Sequence, residues 1–194
     1  MPRLPYADPE RVPERVREAL EAVPPLNVFR MTANAETAFR PWLAFGGALL
    51  SSLELDPRVR ELVILRVARL CGSEYEWVQH VPIARSVGAT EEQVAAIERG
   101  GVDAECFSND QRAVLRFTTE VVRDVRASDE AFAAVSGTLS PREIVELLMV
   151  IGQYMMLARV MATSDMELDE PADPRRARPR PSPPGDGPRP SDPD

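Results

Sequence analysis

From Glu10 to Thr163 the apolar positions group at helical spacings, and no stretch alternates at period two with β-branched residues between turns. Helix starts recur along the way. Asp56 with Pro57 offers an N-cap followed by an N1 proline. Ser73-x-x-Glu76, Thr90-x-x-Gln93, Ser108-x-x-Gln111 and Ser140-Pro141-x-Glu143 all fit the capping box, in which side chain and backbone satisfy each other's orphan groups. Gly88 and Gly100 stand where helices should stop. The pattern predicts helices near 10–22, 34–53 (interrupted before Pro41), 57–70, 73–87, 91–99, 109–126, 129–137 and 141–163. The fold class is all-α. The helices after Asp56 and Ser140 both open on Pro-Arg and then set glutamates into an apolar run, which suggests a weak internal duplication.

The pattern stops at Pro171. The last 24 residues carry nine prolines and no side chain larger than alanine that could enter a core. Residues 1–170 are therefore expected to form a single helical domain, and 171–194 a disordered Pro/Arg-rich tail. PRPSPP within it has the form of an SH3-type ligand, although a plain tail is the better account of the composition.

Composition narrows the function. The net charge is −8 and the sequence pI near 4.9, so nucleic acid and anionic membrane surfaces are not the expected partners. Every basic residue is arginine, which removes Schiff-base lysines and the usual P-loop. The N-terminus lacks the apolar segment of a signal peptide, and the longest apolar run, WLAFGGALL, is nine residues. A cytoplasmic protein is expected. Cys71 and Cys106 have a single histidine between them, too few ligands for a structural zinc site, so both are read as free thiols with no metal.

The candidate chemistry lies in two neighbouring helices. Glu61 is flanked by Ile64, Leu65 and Ala68, and a carboxylate in that company must find a partner or keep its proton. A structural ion pair with an arginine would satisfy it as well as a catalytic role would. His80 is the chain's one histidine, four residues after Glu76 and three after Trp77. A carboxylate beside an imidazole fixes its tautomer and suits it to proton transfer. Glu76 also completes the box opened by Ser73, so capping accounts for it too, and Glu74 falls in a helix's positive first turn. Tyr75 and Trp77 sit on opposite sides of the helix, and Trp77, nearer His80, is the better pocket wall. Pro82 removes one helical hydrogen bond just beyond His80, where a kink is expected. Later, Gln153 interrupts the apolar stripe of Glu146, Val150 and Leu157, with Tyr154 beside it. These two either line the same pocket or hydrogen-bond in the core.

The block RELVILRVARLCGSEYEWVQHVPIARSVGATEEQV, with AFGGALL before it and LSPREIVELLMVIGQYMMLARV after, resembles the carboxymuconolactone decarboxylase family and its alkyl hydroperoxidase D-like relatives. The likeness covers roughly residues 20 to 168. It implies a small helical fold assembling into homo-oligomers, as dimers, trimers or hexamers, with sites near subunit contacts. The peroxidase motif of the family is a glutamate, then C-x-x-C, then a histidine. Carried over by position, the glutamate falls on Glu61 and the histidine on His80, but the two cysteines fall on Ser73 and Glu76. Both redox positions are lost.

The surviving set suits a cofactor-independent lyase or isomerase acting on a small carboxylate or lactone. In that reading Glu61, Glu76 and His80 are the acid/base groups, Arg66 or Arg69 clamps a carboxylate, and Trp77, Gln153 and Tyr154 line the pocket. A thiol-dependent peroxidase using Cys71 is the alternative, with a non-catalytic helical oligomer as a third reading.

Overall fold

A computed structural model describes residues 1–169. Among these residues it is entirely helical, in the order α1 (Glu14–Glu21), α2 (Asn27–Thr32), α3 (Phe39–Ser51), α4 (Pro57–Cys71), α5 (Glu74–Ser86), α6 (Glu91–Glu98), α7 (Asn109–Asp124), α8 (Asp129–Ser136) and α9 (Pro141–Thr163). The expected tail lies outside the described residues.

The α4 helix is the axis of the fold. Every residue from Arg60 to Ala68 is buried, because α5, α7 and α9 pack against it with α6 at its side. Its N-terminus is held by the Asp56 carboxylate, which accepts from Val59 N at 2.9 Å, with Pro57 in the first position. Its C-terminus is turned by Gly72 at φ 66°, a left-handed conformation that glycine enters without the Cβ penalty. This turn folds α5 back along α4. One apolar cluster joins α4, α7 and α9, a second joins α4, α5 and α6, and a third fastens the N-terminal segment to α3. The α4 and α9 helices, which share the cap–Pro–Arg opening, lie against each other.

Three capping boxes form as expected, at Thr90/Gln93, Ser108/Gln111 and Ser140/Glu143. The fourth does not: Ser73 occupies the N-cap of α5 but makes no side-chain cap bond. The α1 helix begins after Pro13 and not at 10. Likewise α3 begins at Phe39, so Pro41 sits in its first turn, where a missing N–H costs nothing. The α5 helix runs through Pro82 to Ser86 without interruption. The helix at Asn27–Thr32 has no counterpart in the sequence pattern. It is six residues long and Leu26 provides no side-chain cap. Its first N–H is capped from the far end of the chain, by Asp169 Oδ1 at 2.7 Å.

Candidate functional site

In the second turn after its cap, α4 presents Glu61, which is 0% exposed. The reversal at Gly72 brings His80 of α5 opposite it, with His80 Nδ1 2.8 Å from Glu61 Oε2. A carboxylate can only accept here, so Nδ1 carries the proton and donates, leaving Nε2 as the free base. Glu61 Oε1 is taken by its chain neighbour Arg60, whose Nε and second terminal nitrogen both lie 3.0 Å away. The remaining Arg60 nitrogen donates to the Leu50 carbonyl at 2.8 Å. Glu61 is thus held from both sides, in an Arg60–Glu61–His80 chain.

His80 borders a cavity of about 320 Å³ enclosed by α2, α3, α5 and α9. Its walls are mostly apolar or aromatic, with Phe29, Trp42, Leu157 and Met161 among them. The polar groups that reach it are Tyr75, Glu76, Gln79, His80, Gln153 and Tyr154. Tyr154 meets the His80 ring edge-on, with centroids 4.9 Å apart.

Glu76 is 2% exposed, and neither of its oxygens has a hydrogen-bond partner among the described residues. Burial pushes its carboxyl up to about 8, while the nearby Ser73 hydroxyl pulls weakly the other way without a well-formed bond to either oxygen. The shift favours the neutral carboxylic acid over the carboxylate at neutral pH. Its capping role, expected from the sequence, is replaced by burial against the cavity.

The cavity stripe on α5 is Tyr75, Glu76, Gln79, His80 and Ile83. Trp77 lies off that stripe, in the core cluster with Leu62 and Leu65, its outer face covered by the Arg69 guanidinium at 5.1 Å. Tyr75 therefore occupies the wall position that proximity to His80 had suggested for Trp77. Arg66, five residues from Glu61, points from the other side of α4 toward α7. There its Nε donates to Thr119 Oγ1 at 3.0 Å. Neither Arg66 nor Arg69 reaches the cavity. Gln153 and Tyr154 do line it, and the Gln153 amide makes no hydrogen bond among the described residues. Cys71 is not part of the cavity wall, and burial raises its thiol. Among the described residues no cluster of three or more His, Cys, Asp or Glu side chains could hold a metal ion.

Pocket residues that sequence reasoning missed come from α2 and α3, chiefly Phe29, Trp42 and Gly46. The glycine pair inside the apolar run WLAFGGALL was the one available signal, since helix-interior glycine marks a place where side-chain volume is not wanted.

The family model for the carboxymuconolactone decarboxylase family matches residues 36–120, a span that holds Glu61, Ser73, Glu76 and His80. Over that span the chain matches the family. It is of the type in which C-x-x-C is absent. Solved structures carry the same fold. A peroxidase-related protein with an alkylhydroperoxidase core from Ralstonia eutropha JMP134 superposes with a TM-score of 0.75 at 19% identity, over 87% of this chain and 93% of that one. A protein of unknown function from Agrobacterium tumefaciens gives 0.65 at 23% identity, over 72% and 96%. A cysteine-to-alanine variant of the debrominase Bmp8, in complex with 2,3,4-tribromopyrrole, gives 0.65 at 15% identity, over 80% and 82%. No curated protein sequence matches significantly.

Proposed function

We propose that this protein is a cofactor-independent acid/base enzyme, a lyase or isomerase of small carbon acids such as lactones or carboxylates. The observation that carries the reading is the Glu61–His80 pair, 2.8 Å apart and opening onto an apolar cavity beside the protonated Glu76. Glu61 holds the imidazole with Nδ1–H inward, so Nε2 is the atom that takes a proton from the carbon next to a substrate carbonyl. The electron pair moves onto the carbonyl oxygen as an enolate. The imidazolium then returns the proton at a different position. An apolar enclosure favours this chemistry because it excludes water and strengthens each fixed hydrogen bond.

The thiol-peroxidase reading has less support. Peroxide reduction needs a thiolate, and the surroundings of Cys71 favour the thiol. Cys106 belongs to a different apolar cluster, so it is poorly placed to resolve an oxidised Cys71. Peroxide consumption with dithiothreitol is expected to be the same in Cys71→Ser as in the wild type. That the fold carries a debrominase indicates how much chemistry it can host.

The test is exchange of solvent deuterium into a panel of small lactones and carboxylates, followed by NMR. Exchange is expected in the wild type and should be lost in both Glu61→Gln and His80→Ala, with helical circular dichroism unchanged. Exchange that persists in both variants would reject the reading. Its absence from the wild type across the panel would favour a non-catalytic helical assembly.

A further inference from the structure

The acid/base reading leaves open what the cavity accepts. We infer that it takes a neutral ligand with a flat apolar body, which offers a carbonyl or similar acceptor to the Gln153 amide, and that it rejects free carboxylates. The inference deepens the proposed function and relies on it only for His80 being the reacting group.

Three observations carry it. First, the cavity has no fixed positive charge among the described residues. Arg60 is the guanidinium bound to the Glu61–His80 pair, and each of its three nitrogens is directed to Glu61 or the Leu50 carbonyl. Arg66 donates to Thr119 and the Gly100 carbonyl, and Arg69 lies over Trp77 beside Glu74. An entering carboxylate would lose its hydration and find no cation waiting. Second, the walls suit an aromatic body. Phe29 and Trp42 stand 6.1 Å apart as a tilted pair, and Tyr75 and Tyr154 add further ring faces. The volume of about 320 Å³ sits at the small end of the ~300–1,000 Å³ range usual for ligand pockets, enough for a mono- or bicyclic molecule.

Third, the polar anchor is uncommitted. Gln153 is 6% exposed, lines the cavity and has no hydrogen-bond partner among the described residues, yet its amide atoms are not sealed away. A buried amide left this way invites a ligand that can bond to it. Gly46 keeps the space in front of it open, because a Cβ built there would meet only Gln153 Nε2, at 3.6 Å. His80 and Tyr154 line the same cavity, with their rings 4.9 Å apart. A carbonyl held by Gln153 would lie in the cavity that His80 borders.

The experiment uses the full chain and a matched pair of probes, coumarin and coumarin-3-carboxylate. Binding is followed by calorimetry and by the NMR signals of the single imidazole. Coumarin is expected to shift the His80 signals, and the carboxylate to bind at least about tenfold more weakly. Gln153→Leu, which keeps the side-chain size and removes the amide, should weaken coumarin several-fold. Gly46→Val should block it by filling the cavity. Equal or tighter binding of the carboxylate overturns the inference, as does failure of coumarin to move the His80 signals. Coumarin binding indifferent to both variants overturns it as well. If neutral ligands bind as described while no carbon acid is turned over, the acid/base reading falls and the ligand class stands. Turnover of carboxylates with coumarin excluded gives the opposite result.

Discussion

At the scale of single residues, Glu76 should govern part of the stability of the protein against pH. In the unfolded chain its carboxyl titrates near the usual 4.5, whereas in the folded chain burial raises it to about 8. Between these values the native state holds a proton that the unfolded state has released. Stability must therefore fall as pH rises through this window, by at most about 1.4 kcal/mol per unit, and this contribution levels off above about 8. Glu76→Gln keeps the shape and removes the titration. Its melting temperature is expected to lose that part of the decline between pH 5 and 8, and to exceed the wild-type value at the upper end. Parallel melting profiles for the two proteins would contradict the burial argument. The second residue-scale prediction concerns His80. Its ¹⁵N shifts should report a proton on Nδ1 in the wild type, and Glu61→Gln, which weakens the acceptor, should alter that tautomer balance. In the sequence, Glu61 stood out by its apolar neighbours and His80 as the chain's one histidine, and the family resemblance joined the two. The state of Glu76 was not legible there, because Ser73-x-x-Glu76 reads as a capping box until the packing shows both oxygens turned inward.

At the scale of elements, α2 is the instructive case. It borders the cavity through Val28 and Phe29, yet its six residues carry no cap of their own. Asp169 supplies the cap and also accepts hydrogen bonds from the Tyr75 hydroxyl and from Gln79 Nε2, the latter at 3.2 Å. One carboxylate thus ties α2 to the cavity stripe of α5. Asp169→Ala is expected to raise amide exchange across Asn27–Thr32 roughly fivefold while leaving α4 protected, since losing a cap costs about 1 kcal/mol. Unchanged exchange in α2 would mean that packing alone holds it. By contrast, the helices that the sequence did specify carry their own signals. Ser108 and Ser140 cap α7 and α9 through contacts three residues away.

At the scale of the whole molecule, α9 has the length and composition of a membrane span, yet 56% of its apolar window is buried inside the protein. The part left outside is still apolar. Val145, Leu148, Met149 and Met156 are exposed on α9, as are Phe45 and Leu50 on the neighbouring α3. Exposed apolar residues in such concentration commonly mark an association surface. We propose that a second copy of the chain covers them. Sedimentation is expected to give a multimer, and Met149→Glu should shift it toward monomer; a wild-type monomer at micromolar concentration would refute this.

Helix-forming periodicity, caps and stops are local properties, carried by residues three or four apart, so the sequence alone determined the all-helical class and most helix boundaries. It also placed Glu61 and His80 on consecutive helices with a glycine between them. Which flank of His80 opens onto a cavity depends on what packs against α5, and α2, α3 and α9 come from both ends of the chain. For this reason only the tertiary structure could exchange Tyr75 for Trp77, turn Arg66 toward Thr119 and leave Gln153 without a partner. Burial is likewise a sum over distant segments, and that sum made a carboxylic acid of Glu76.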